Sequence, residues 1–331
     1  MLLDESRAEP AGVPGRAAQN CRCLIAVVLL GFPLILIDMF RRKRHSLNRL
    51  VGSSSVGSQT GRDLLLAEGL PRPAGVKLRS ARPGESDEAN QLLRLAGVEF
   101  HPGVARAIET RVISSALLRA LEPGHRTELL DDLAAVAGAG SDEAMRALAG
   151  MDAVLVAEDA AGELVGAIWA GPPFKRFLEI EEAGVSFVQA RWAGPAAVVK
   201  LRSLGVDENA RGAGIGMALV THCTQLYFEL GYRLAFGQIR SGFGLETYYP
   251  KLGFEVLPEE KPIRIDGLLG LPFSEVGINA KPQERLIARW RTTQEPSLSE
   301  LLLLRLFAAV ADAGVAGGLE RAISPRELLG R

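Results

Sequence analysis

Residues 201–216 read Leu-Arg-Ser-Leu-Gly-Val-Asp-Glu-Asn-Ala-Arg-Gly-Ala-Gly-Ile-Gly. The first part ends a strand at Leu204-Gly205-Val206, a short polar turn follows, and Arg211-Gly212-Ala213-Gly214-Ile215-Gly216 opens a helix that runs to Leu230. In that helix Leu219, Cys223, Leu226 and Leu230 fall on one face, and Gly231 stops it. Without a Cβ, glycine lets backbone come close to a ligand. The amides of a first helical turn have no partner within the helix, and with the helix dipole they hold an anion such as a diphosphate. Arg211 adds positive charge at the loop entrance. The spacing is G-x-G-x-G, and no βαβ unit with a following acidic residue surrounds it, so a dinucleotide fingerprint does not fit. Taken alone, the loop is either a phosphate cradle or a tight turn.

Working outward, Val76 to Arg82 alternates as a strand. Glu85 to Ala96 is helical, with Ala89, Leu92, Leu93 and Ala96 at helical spacing behind an acidic first turn. Residues 104–149 read as helical pieces broken at Pro123-Gly124 and at Gly138-Ala139-Gly140. Ala153–Glu158 and Leu164–Ala170 are strands joined by the hairpin connection 159–163. Residues 171–194 read as irregular, ahead of a strand from Ala197 to Val206. Beyond the loop and its helix, Arg233–Ile239 is a strand, Leu245–Leu252 a short helix, and Gly253–Leu257 a strand onto which Arg285–Arg291 pairs back. A leucine-rich helix, Ser297–Ala313, comes last. This order predicts an α+β class in one domain, residues 76–292: a mixed, mostly antiparallel sheet flanked by helices. Residues 293–331 form a helical extension.

The flanks carry other information. Leu24 to Phe40 is apolar except for Asp38; its roughly 17 residues reach the lower limit of a bilayer span, and Pro33 would kink it. Arg41-Arg42-Lys43-Arg44 follows directly, which by the positive-inside rule places everything beyond it in the cytoplasm. The expectation is an N-terminal leader, 1–45, containing a candidate membrane anchor at 24–40, then a Gly/Ser/Pro-rich flexible linker, 46–75. The chain is then cytoplasmic, tethered to the membrane face. A net charge of -1 over 331 residues gives no reason to expect nucleic acid. Cys21, Cys23 and Cys223, with His45, His101, His125 and His222 scattered, make no metal-ligand spacing, so no metal is expected and the compartment reads as reducing. His222 reads as a helix-surface or core residue. Nothing in the sequence sets an oligomeric state.

Downstream of the loop stands Tyr248-Tyr249-Pro250-Lys251-Leu252-Gly253-Phe254. With Leu204 and Val206 on the preceding strand and Arg211, Gly214 and Gly216 in the loop, this segment resembles the GCN5-related N-acetyltransferase (GNAT) superfamily. Element order carries the resemblance over 76–292, its motifs only over 201–256. It implies acetyl-CoA as co-substrate in a cleft where two strands splay. Backbone of Leu204, Gly205 and Val206 would pair with the pantetheine arm, and the amides of Gly212, Ala213, Gly214, Ile215 and Gly216 would hold the pyrophosphate, with Arg211 adding charge at the loop entrance. A primary amine, on a small molecule or a peptide, attacks the thioester directly, and Tyr249 matches the general acid for the leaving thiolate. Tyr248 would face elsewhere and be structural. The helices at 104–149 and the segment 171–194 would shape the acceptor site.

Two departures from the family pattern matter. Gly242 stands where members often carry a cofactor-contacting Asn, with Ser241 beside it. On the strand where many members place a carboxylate base, this chain has Lys200, Arg202 and Ser203. Glu179, Glu181, Glu182 and Glu246 are bases by charge only, and read as solvated. Lys200 and Arg202 either attract an anionic acceptor or are exposed basic residues of an edge strand. Trp169 and Trp192 either line the acceptor pocket or pack the core. Two alternatives stand beside the acetyltransferase: a long-chain N-acyltransferase using acyl-CoA or acyl carrier protein, and a non-catalytic CoA-binding module.

Overall fold

The computed structural model describes residues 73–122, 125, 126, 128, 129, 149–182, 193–269, 276–292 and 297–302. The apolar run at 24–40, Cys21, Cys23, His45, most of the linker, Trp192 and the greater part of the C-terminal extension lie outside these residues. Among the described residues no helix is long and apolar enough to cross a membrane.

The strands are β1 (Lys77–Ser80), β2 (Ala153–Glu158), β3 (Leu164–Gly171), β4 (Val198–Val206), β5 (Leu234–Arg240), β6 (Glu255–Val256), β7 (Ile263–Arg264), β8 (Gly277–Ile278) and β9 (Glu284–Trp290). The helices are α1 (Ser86–Arg94), α2 (Pro102–Glu109), α3 (Ser115–Ala120), α4 (Phe174–Glu182), α5 (Gly194–Ala197), α6 (Ile215–Leu230) and α7 (Leu245–Tyr248). Strands β1-β2-β3-β4-β5-β9-β6 form one sheet in that order, and β7-β8 a small ribbon. Among the described residues every pairing in the large sheet is antiparallel except β4 with β5. The expected α+β fold, a mixed and mostly antiparallel sheet flanked by helices, is therefore the one observed.

Alternation sorts the side chains to two faces. Leu155, Ile168, Ala170, Val199 and Leu201 pack with Leu219, Cys223 and Leu226 of α6. On the opposite face, Val154, Val156, Ala167 and Trp169 pack under Leu92 and Leu93 of α1 and Val104 and Ile108 of α2. Further along that face, Val198, Leu234, Phe236 and Leu286 meet Phe177 and Ile180 of α4 and Ile263 and Ile278 of the ribbon. Each fully buried Leu, Ile or Phe contributes roughly 1.5–3 kcal/mol, so these faces set the register of the sheet.

Local chemistry explains the helix limits. Asp87 and Glu88 start α1 and Arg94 ends it, complementing the dipole at both ends. Gly231 closes α6 with φ 104°, and the amides of Gly231 and Tyr232 return to the carbonyls of Phe228 and Tyr227 at 3.1 and 3.0 Å. Within α6 the Tyr227 hydroxyl is buried between the carbonyls of Met151 (2.9 Å) and Ala170 (3.1 Å) and accepts from the Ala153 amide (3.1 Å). That ties the helix to the ends of β2 and β3.

Two expectations change. Residues 171–194 are not simply irregular: Pro172-Pro173 precede α4, which buries Phe177 and Ile180 one turn apart, and Phe177 fills the space that a side chain at Gly194 of α5 would need. The strand expected over 253–257 is only Glu255–Val256; β9 pairs with it as expected and pairs with β5 on its other side. From 298 the chain turns helical again, with Leu298 and Leu302 buried.

Candidate active site

The parallel pair β4/β5 is in register from Val198↔Leu234 to Leu201↔Gly237, and there it stops. Strand β4 continues to Val206 and β5 to Arg240, so the two diverge into a fork. Beyond the fork β4 keeps its antiparallel partner β3 and β5 keeps β9, which leaves the inner backbone groups of Arg202–Val206 facing the gap. The β3/β4 register also slips here. Ala170 opposes Leu201 and Trp169 opposes Ser203, so Arg202 is an extra, unpaired residue: a β-bulge at the fork's root.

Both helix layers press on the sheet beside the fork, at glycines. A Cβ on Gly205 would stand 1.9 Å from the Leu92 carbonyl oxygen at the end of α1. On the other face, a Cβ on Gly166, which pairs with Val206, would meet Ile215 at 2.9 Å and Leu219 at 3.1 Å. The sequence assigned Gly205 to a ligand; the structure adds that its missing side chain admits α1.

Asp207 caps the turn Glu208–Ala210 by accepting from the Asn209 amide at 2.9 Å, and the chain then enters the glycine loop. Gly212 and Gly214 have φ of 84° and 82°, and a Cβ on either would meet nothing within 4 Å. The loop is therefore open on the side where ligand backbone contact is required. Gly214 is the N-cap of α6 and makes no side-chain cap, so the first-turn amides have no capping side chain. Ile215 contributes differently: its side chain is in the core, leaving only its amide for a ligand. Arg211 lies over the turn, its Nε donating to the Val206 carbonyl at 3.3 Å and its Nη1 3.7 Å from Glu208.

Around Gly216 three predicted residues meet a fourth that was set aside. Its Cβ position lies 3.1 Å from the Tyr248 hydroxyl, 3.5 Å from Val206 and 3.6 Å from Leu204. Tyr248 thus does not face away: its hydroxyl reaches the start of α6. Tyr249 begins the 3-10 turn Tyr249–Leu252, its ring edge-on to Tyr248 (5.1 Å) and Phe254 (5.7 Å). Burial, with Tyr248 adding to it, pushes the Tyr249 phenol up to about 12, so it is protonated at neutral pH. Burial also raises Tyr248.

The face opposite α6 carries a second constellation. Asp152, just before β2, is buried and accepts from Trp169 Nε1 at 2.9 Å. Gly171 makes room for it, since a Cβ there would fall 1.7 Å from Asp152 Oδ1. Arg202 lies over the Trp169 ring at 5.0 Å, donates to the Pro172 carbonyl at 2.8 Å and stands 3.7 Å from Asp152 Oδ1. Burial raises the Asp152 carboxyl, while Arg202 and the Trp169 hydrogen bond oppose the shift. Lys200 donates to Gln238 across the β4/β5 pair at 2.7 Å. β4 is a central strand, so the edge-strand reading of Lys200 and Arg202 is wrong: both are partly buried.

The carboxylates expected from charge alone do not converge. Glu179 pairs with Arg176 at 2.9 Å on the solvent side of α4, and Glu182 is exposed. Glu246 accepts from the Gly242 amide at 2.7 Å; its own amide and that of Gly242 hold it below the usual range. Asp152 went unnoticed because one acid before an apolar strand is unremarkable; its partners lie 17 and 50 residues away and only the register joins them. Trp169 packs the core and also orients Asp152, and His222 is buried. Among the described residues no cluster of His, Cys, Asp or Glu is built to hold a metal. A cleft of about 310 Å³ lined by Arg233, Trp290 and Glu300 sits at the opposite end of β5 from the fork.

A sheet forked at a parallel pair, with a glycine loop leading from the fork into a helix, is the architecture of an acyltransferase of the GNAT type. Residues 126–254 match the model of the acetyltransferase (GNAT) family, so this part of the chain is a GNAT acetyltransferase domain. No curated protein matches the chain. Solved structures include distant likenesses. The acetyltransferase candidate yncA from Salmonella typhimurium, solved with its cofactor acetyl-CoA, is 15% identical over 67% of this chain and 98% of its own, with a TM-score of 0.38. Arabidopsis thaliana Naa50, solved with a bisubstrate analogue, is 13% identical over 65% and 99%, at 0.35. For nourseothricin acetyltransferase the values are 16%, 43% and 66%, at 0.27, so the chain spans 66% of that protein's length.

Proposed function

We propose that the chain is an acetyl-CoA-dependent N-acetyltransferase acting on a primary amine, with the donor in the β4/β5 fork. One observation carries this reading: the only parallel pair of the large sheet among the described residues opens after Leu201/Gly237, and β4 then leads directly into the glycine loop and α6. The open loop fits a diphosphate, because Gly212 and Gly214 leave its outer side clear. Acetyl-CoA supplies the acyl group as an activated thioester.

The protein's own part is placement and proton management. Inner backbone groups of Leu204, Gly205 and Val206 hold the pantetheine arm in extended form. The amides from Gly212 to Gly216 hold the pyrophosphate with Arg211 adding positive charge, and the Tyr248 hydroxyl beside Gly216 supplies a polar contact where Gly242 has no side chain to offer. Tyr249, protonated at neutral pH, is the proton donor to the leaving sulfur. The acceptor approaches from the face of Trp169 and Arg202, opposite α6. Anchoring at the cytoplasmic face of a membrane through Leu24–Phe40 belongs to the same proposal, and cell fractionation tests it.

The test is acetyl-CoA consumption by the full chain across amino acids, polyamines, aminosugars and peptide N-termini, with product mass as readout. Acetylated product from at least one class is expected. CoA binding with no transfer to any class would instead favour the non-catalytic module.

A further inference from the structure

Resting on that reading, we propose that the acceptor is a small amine that carries a carboxylate, bound by Arg202 and Lys200 on the face opposite α6. Arg202 is the bulged residue at the root of the fork, so its side chain leaves the strand where donor and acceptor must meet. It is a built group: the guanidinium is stacked on Trp169, one nitrogen is held by the Pro172 carbonyl, and 27% of the side chain remains exposed. Its Nε is buried and makes no hydrogen bond. The exposed part of a cation held in this way is what an incoming ligand meets, and an oxyanion is the group it favours.

Lys200, two residues earlier on the same face, extends the patch. Its ammonium is held by Gln238 at 2.7 Å. Burial, and then Arg202 and Lys281, work against its charge, while Glu284 alone favours it. Asp152 does not cancel the patch. At 3.7 Å from Arg202 it makes no direct hydrogen bond, and Trp169 already engages it. Three cations therefore face two carboxylates, and the excess is positive in a partly desolvated setting where an added anion is favoured.

The experiment uses the full chain with saturating acetyl-CoA and matched pairs, each an α-amino acid and its α-carboxamide, corrected for the fraction of free amine. Wild type is expected to prefer the acid by about 10-fold or more in kcat/KM, expressed in KM, as for a charge-assisted hydrogen-bonded pair. In Arg202→Gln and in Lys200→Gln the acid-over-amide ratio should shrink to about 3-fold or less, and Arg202→Lys should restore part of it. Folding of each variant is checked by its CoA-induced thermal shift; if Arg202→Gln does not fold, Lys200→Gln decides. Amides used as readily as acids, or a loss shared equally by both in the variants, overturns the carboxylate site and leaves the acetyltransferase standing. Transfer to no amine at all overturns the acetyltransferase reading, and the acceptor inference falls with it.

Discussion

Replacing Gly205 with alanine tests the packing that shapes the fork. The added methyl would stand 1.9 Å from the Leu92 carbonyl oxygen, 2.6 Å from its carbon and 3.2 Å from the Leu93 nitrogen. These are backbone atoms, so no rotamer change relieves the clash. Ordinary carbon–oxygen contact needs roughly 1.5 Å more than the first of these distances, and α1 must retreat by about that much. Retreat breaks the Ser203 hydroxyl contact to the Leu93 carbonyl, 3.4 Å long, and loosens the burial of Ala89, Leu92 and Leu93. Over-packing of this kind costs about 3 kcal/mol, the upper part of its usual range, because the obstacle is rigid. For a domain of this size that lowers Tm by about 6–12 °C. Gly212→Ala is the control: it meets nothing within 4 Å and carries only left-handed strain, about 1 kcal/mol. Thermal and urea denaturation of both variants without ligand give the comparison. If Gly205→Ala melts within about 2 °C of wild type, α1 does not approach β4 as described, and the reasoning fails.

Gly171→Ala drives a methyl into the Asp152 carboxylate and should cost about 2–3 kcal/mol by urea denaturation, with the Trp169 fluorescence environment altered. Tyr249→Phe should lower kcat about 100-fold with little change in KM, whereas Tyr248→Phe should act on CoA affinity; the reverse partition would exchange their roles. Glu85 gives a pH prediction. Burial pushes its carboxyl up, but both Arg79 nitrogens (2.8 and 2.7 Å) and the Arg82 amide (2.7 Å) outweigh this and hold it below 4.5. A depressed carboxyl contributes stability above its unfolded value and loses it as pH falls through the folded one. Wild type should therefore exceed Glu85→Gln by about 1 kcal/mol at neutral pH, and the gap should close below pH 4.5; a gap that widens in acid would refute the assignment.

What was legible in the sequence was local and periodic. The strand Ala153–Glu158 and the helix Ile215–Leu230 emerge at the limits their patterns predict, because alternation, helical spacing and a terminal glycine all act within one element. The glycine loop was legible for the same reason. Helix α4 was missed because residues 171–194 read as irregular, although proline, as at Pro172-Pro173, is well tolerated ahead of a first turn. The placement of β9 between β5 and β6 was half-legible: alternation at 285–291 marked a strand, but not that it has two partners. Least legible was the acceptor face. Arg202 becomes a bulge only through the register of β3 on β4, and Asp152, Trp169 and Arg202 meet only when three strands are aligned. Tyr248 was misplaced because a helical turn and a 3-10 turn meet at Tyr249, a change of pitch that spacing does not reveal.

The central claim, that the loop from Arg211 to Gly216 holds the diphosphate of CoA at the fork, is tested most directly by calorimetric titration of CoA and of pantetheine into wild type and Gly216→Val. Valine at this position would occupy the space among Tyr248, Val206 and Leu204. Wild type should bind CoA at least about 100-fold more tightly than pantetheine, a difference of about 3 kcal/mol, and Gly216→Val should lose most of that difference. Equal affinity for the two ligands, or CoA binding unaltered by the valine, would contradict the account.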